Sequence, residues 1–138
     1  MKKVLGIGFL CAVFIFLLGI LFNVIFGFLF PEFAAIYADE GIFRNVNTAA
    51  SGLFWFYPLV LGISLAVVWN KIKKVFEKDS VFVSGLKFGI VYFFVSALPT
   101  FFVNVGSFNL PVMMVFSWMI ISFGNGVVCG WTFALLDK

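Results

Sequence analysis

Residues 4–30 run without one charged side chain. At about 1.5 Å of rise per helical residue, the run exceeds the roughly 20 residues that cross a hydrocarbon core. Three more apolar runs follow, at about residues 52–69, 81–103 and 112–136. In lipid, every backbone N–H and C=O needs a partner within the protein, and over runs this long only a helix supplies them all. A β-barrel strand would alternate apolar and polar residues over about ten positions. These runs are apolar on every side. The expectation is an all-α protein: residues 1–138 form one transmembrane domain, an integral membrane four-helix bundle.

Composition agrees. Hydrophobic residues make up 64% of the chain, against about 45–50% apolar in soluble domains. Charged residues are 11%, against about 25%. A soluble domain of 138 residues has no interior large enough for 22 phenylalanines; lipid does. Lys2 and Lys3 before an apolar run also resemble a signal peptide's start. The run is far longer than a signal's 7–15 residues, so an uncleaved first helix is expected, with cleavage near Ala38 the alternative.

Charge placement predicts orientation. Lysines cluster at Lys2 and Lys3 and again in the middle turn at Lys71, Lys73, Lys74 and Lys78. The link at residues 32–51 has only Arg44, and the link near residues 104–111 has no Lys or Arg. The positive-inside rule then puts both termini and the middle turn in the cytoplasm and residues 32–51 outside. The expected location is the cell membrane, multi-pass. Trp55, Trp69 and Trp131 fall near span ends, where indole rings favour the headgroup level. Trp118 falls deeper and reads as packed inside the bundle.

Lys87 interrupts the third run, between Gly85 and Gly89. It lies about 10 Å from the cytoplasmic end of that helix. Its stem can carry the ammonium back to the interface. The other reading is a cation facing a cavity and binding an anionic ligand, since charges within a membrane tend to be functional. No acidic residue lies at comparable depth in any run, so an anionic partner is expected from lipid or another chain.

The glycines carry a packing signal. Gly85 and Gly89 form a GxxxG pair, as do Gly126 and Gly130. Small residues let helix backbones approach closely in lipid. Similar stripes occur at Gly62 and Ala66, and at Gly19 and Gly27 around Asn23, each on one helix face. Packing these stripes together predicts a compact bundle with its phenylalanines outward. A stripe lining a conduit is the alternative.

Other polar residues are few. Asn23, Asn104 and Asn125, with Lys87, are the candidates for a ligand site or conduit. An amide in lipid seeks a hydrogen bond, often across helices. Asn125 sits between two glycines, where a broken helix would make a binding site. Pro58 and Pro99 predict kinks or a hinge. Cys11 and Cys129 fall at similar depth in the first and fourth runs; without histidine they complete no zinc site, and small apolar packing is the simpler reading. Glu32, Asp39 and Glu40 read as a solvated acidic link. No metal or cofactor is called for. Nothing supports nucleic-acid binding.

No acid–base pair, nucleophile triad or phosphate loop stands out, and whether the chain has any enzymatic activity is left open. Two functions remain. The first is association without catalysis, as an accessory subunit or homo-oligomer held by small-residue faces, with membrane lipids and a membrane-protein partner or second copy around it. The second is a small transporter or channel for an ion or small solute.

Overall fold

The computed structural model describes residues 2–45 and 47–137. Among them are four long apolar helices. Helix α1 is Lys2–Leu29 and is followed by the short α2, Glu32–Tyr37. Helix α3 runs continuously over Ala49–Phe76, α4 over Val81–Ser107 and α5 over Val112–Leu136. The protein is all-α, and its long helices are those of a membrane-spanning bundle.

Local sequence explains the boundaries. Pro31 has no N–H to continue α1, and α2 starts immediately after it. Thr48 caps α3, its hydroxyl accepting from the Ser51 N–H at 3.4 Å. Ser80 caps α4 in the same way through the Val83 N–H at 3.3 Å. Each cap satisfies an N–H that the first helical turn leaves free. Pro58 falls at the start of the α-helical part of α3, after a tight 3₁₀ turn at Leu53–Phe56. Pro99 acts differently. Its ring and missing N–H disturb the turn before it, and α4 widens there into a π-helical turn over Phe93–Ala97.

Two backbone seams hold the helices together. The α1–α3 seam sets Gly8 and Ala12 against Gly62 and Ala66. A Cβ added at Gly62 would lie 2.7 Å from the Ala12 N, and one at Gly8 would lie 2.9 Å from the Ile63 Cα. The α4–α5 seam sets Gly85 and Gly89 against Gly130 and Gly126. A Cβ at Gly130 would lie 2.9 Å from both the Cα and the O of Gly85. Only hydrogen in place of a side chain allows such approach, and the gain is dispersion between backbones and flanking side chains.

Burial is lopsided. The buried residues of α1 are Ile7, Gly8, Cys11, Ala12 and Ile15, all in its amino-terminal half. Those of α3 are Gly62, Leu65, Ala66, Trp69 and Phe76, all at or past its middle. Residues 98–107 of α4 include none. For α1, α3 and α4 the bundle is therefore tight at the lysine-rich end and open at the other, where α5 still buries Met114, Val115 and Ser117. Gly8 faces Gly62, and the Phe16 and Trp55 rings lie 6.2 Å apart. That antiparallel register carries α3 outward only to about the level of Phe22. Beyond it α1 continues without α3 beside it.

One expectation needs correction. Phenylalanine is not only outward: Phe76, Phe88 and Phe133 are buried around Trp69. Trp69 stacks on Phe76 at 5.1 Å and meets Phe88 edge-on at 5.5 Å. Trp69 lies near the lysine-rich helix ends but packs inside the protein, 1% exposed. The turn after it is helical through Phe76 and folds that ring back beneath the indole.

Candidate functional site

The chemistry-bearing side chains gather at the two ends. At the tight end, three helix termini meet on Asp137. Its carboxylate binds Lys3 of α1 at 2.7 Å and Lys73 of α3 at 3.0 Å. The indole N–H of Trp69 donates to the Asp137 carbonyl at 3.5 Å. Asp137 is buried. Burial works against its charge, but hydrogen bonds from Lys3 and Lys73 outweigh that and hold its carboxyl below the usual range. Lys3 and Asp137 thus lie at the same end of the bundle.

Lys87 belongs to this end as well. Its ammonium binds both carboxylate oxygens of Asp79 at 2.9 Å. Its anionic partner is therefore in this chain, not in lipid or another protein as expected from sequence. Asp79 lies in the turn before α4, about two helical turns from Lys87. The long stem spans that gap along the helix surface.

The bundle's middle is filled. Cys11 and Cys129 are both 0% exposed, share one core cluster, and the Cys129 thiol faces that of Cys11. Asn125 is 2% exposed, and its Oδ1 has no hydrogen-bond partner. The helix around it is unbroken from Val112 to Leu136, so the broken helix considered for this stretch is absent. Neighbouring glycines serve the seam with α4. Ser84, also fully buried with an unpartnered hydroxyl, lies one turn from Phe88.

The open end holds two cavities. A groove of about 160 Å³ lies between α1, α2 and α5, with Phe22, Asn23, Phe26, Phe33, Tyr37 and Trp118 among its walls. Trp118 donates its indole N–H to the Tyr37 hydroxyl at 2.7 Å. That places Trp118 at the outer rim rather than inside the bundle. Burial raises the Tyr37 pKa above its ordinary value, and the Trp118 hydrogen bond offsets this only in part. A second cavity of about 30 Å³ lies between α4 and α5, lined by Thr100, Asn104 and Ser122. It has room for about one water molecule.

The structure thus separates the four ligand candidates. Asn23 lines the large groove, Asn104 lines the small cavity, Asn125 is sealed in the core, and Lys87 turns away to Asp79. It does not bring them into one site. Of the packing candidates, Gly62, Ala66, Gly85, Gly89, Gly126 and Gly130 lie at the seams. Gly19 and Gly27 do not: a Cβ at either would meet nothing within 4 Å, because the outer helix ends diverge. Sequence reasoning overlooked Asp137, Asp79 and the Tyr37–Trp118 pair. Asp137 had one signal, a lone carboxylate ending the last apolar run opposite lysine-flanked ends. The other pairings depend on tertiary approach or turn geometry.

No group of three or more His, Cys, Asp or Glu side chains that could hold a metal occurs among the described residues. No protein-family model, curated protein or solved structure matches the chain.

Proposed function

We propose that this protein acts by association within the membrane, as a non-enzymatic accessory subunit or as a homo-oligomer, and that its partner helix packs against the outer halves of α1 and α3. One observation carries the reading: every buried residue of α1 and α3 lies in the lysine-rich half or at the middle of the helix. Among the described residues, α2 and α5 cover one side of the outer half of α1, at Leu18, Phe22 and Phe26, and much of the rest of both outer halves is exposed. Leu53 and Phe54 are 70% and 71% exposed, and both Gly19 and Gly52 face open space. Open small-residue positions allow close backbone approach by a further helix.

This moves the association surface. The GxxxG pairs of α4 and α5 are used inside the chain and are not free for a partner. The positive-inside rule favours a cytoplasmic lysine-rich end. Both termini would then be cytoplasmic and the open half would face outward. The transporter reading has less support, because Cys11, Ile15, Asn125 and Cys129 fill the middle of the bundle. A conduit through one chain would have to part them.

Cysteine crosslinking in native membranes tests the proposal. Leu53→Cys and Leu17→Cys are expected to crosslink to a second copy or to a reproducible foreign subunit. Gly89→Cys is not, because its neighbours are in the same chain. A chain that stays monomeric in native membranes, with no crosslink from either outer position, would sink the proposal.

A further inference from the structure

We infer that the lysine-rich end is a docking surface for the anionic phospholipid headgroups of the leaflet around it, carried by Lys71, Lys74 and Lys78 of α3 and the turn after it, with Lys2 of α1 beside them. This surface lies at the opposite end from the one proposed for a protein partner, and the two stand or fall separately.

Sequence places lysines here, and the fold decides which of them are free. Two of the acids at this end are occupied within the chain. Asp137 is buried and takes both Lys3 at 2.7 Å and Lys73 at 3.0 Å. Asp79 takes Lys87 at 2.9 Å. Lys2, Lys71, Lys74 and Lys78 are exposed and make no ion pair among the described residues. Glu77 is the one exposed acid near them. The Lys3–Asp137–Lys73 junction draws the start of α1 against the end of α3, so Lys2 joins the other three. The link at residues 32–51 has the reverse balance, with Glu32, Asp39 and Glu40 against Arg44.

Packing fixes the direction in which these lysines point. Phe76 is 4% exposed and stacks on Trp69 at 5.1 Å. Ile72 and Lys73 are half-buried on the same side. The turn is thus pinned from within. Lys71, Lys74, Val75 and Lys78 recur at spacings of three and four and are the exposed side chains of the stretch. A backbone already ordered in this way has little freedom left to lose when the ammonium groups meet a headgroup.

Depth agrees with charge. The turn directly follows the apolar run at residues 52–69, which sets its ammonium groups at the headgroup level. Phe82 and Trp131 mark that level on α4 and α5. Their rings stack at 5.7 Å, and the Trp131 N–H donates to the Phe82 carbonyl at 3.1 Å. Aromatic side chains of this kind favour the headgroup region. Val75, 77% exposed, adds an apolar contact beside Lys74. Lysine clusters immediately beside a span attract anionic lipid, and the attraction acts within about a Debye length of the surface. A zwitterionic headgroup brings its own cation with its phosphate, so a net anionic one is the better match.

The test uses the full chain in nanodiscs of phosphatidylcholine and phosphatidylglycerol with identical acyl chains, read by native mass spectrometry of the retained lipid. Wild type is expected to retain phosphatidylglycerol several-fold over phosphatidylcholine at equal mole fraction. The preference should shrink as salt is raised from about 0.05 M to about 0.5 M. Lys71→Gln, Lys74→Gln and Lys78→Gln together should abolish it, whereas Lys71→Arg, Lys74→Arg and Lys78→Arg together should keep it. Arg44→Gln, in the link at residues 32–51, should leave it unchanged. The three lysines are unbridged, so the triple Gln variant should unfold at the wild-type midpoint. The salt titration of wild type needs no variant at all. Equal retention of the two lipids by wild type, or a preference insensitive to salt, would overturn the assignment. So would a preference that survives the triple Gln change, or one that Arg44→Gln removes as fully. Retention of added inorganic phosphate in place of phosphatidylglycerol would overturn it in favour of a soluble anion.

Discussion

Two glycines separate what a motif shows from what its neighbours make of it. Gly130 faces the Gly85 backbone at a distance no Cβ tolerates, whereas Gly27 faces nothing. Gly130→Ala is expected to destabilise the bundle by about 1–3 kcal/mol through overpacking. Gly27→Ala should be neutral or stabilising by up to about 1 kcal/mol, since alanine is the better helix former. Reversible unfolding in mixed micelles distinguishes the two. Both glycines carry the same signal in sequence, small residues at helical spacing. The difference is decided by whether another backbone arrives. Lys87 offers a second test at this scale. Its pair with Asp79 is more than half exposed on the lysine side, and exposed pairs contribute little. Lys87→Met should change unfolding by less than about 1 kcal/mol. A large loss would mean that the ammonium has a role beyond reaching the interface.

Helices α1, α3 and α5 are joined at their lysine-rich ends through one carboxylate, and that junction should be pH-sensitive. The Asp137 carboxyl is held below its usual range once folded. A group depressed on folding stabilises above its unfolded value, about 3.9. That contribution is lost as pH falls through the folded value. Wild type and Asp137→Asn should therefore differ in unfolding midpoint at neutral pH, with wild type higher. The gap should close below about pH 4. A gap that persists in acid would assign the effect to packing instead of charge. Helix α4 shows another element-scale device. Its π turn at Phe93–Ala97 takes up the disturbance from Pro99 and lets the helix continue to Ser107 without breaking. The proline was visible in sequence. Whether it would produce a bend, a hinge or a widened turn depended on how α5 packs against that stretch.

At the scale of the molecule, the large aromatic core lies in one half, while Met114 and Val115 are buried in the other. Trp69→Ala removes the indole from the middle of Phe76, Phe88 and Phe133 and should cost about 3–5 kcal/mol, read by the same unfolding assay. Substituting Trp55, 66% exposed at the open end, should cost far less. Comparable losses at both positions would contradict the lopsided core. Four helices and the candidate faces of α3, α4 and α5 were determined by sequence alone. A long uncharged run has one way to satisfy its backbone in lipid, and a small residue at helical spacing marks a face whatever lies opposite. Tertiary structure alone decided which faces close on one another, that Lys87 has its anion in the same chain, and that α1 keeps Asn23 and Gly27 open beside a groove. Those outcomes follow from register and from where α3 ends relative to α1. Both are set by backbone approach between segments far apart in sequence, which no local pattern encodes.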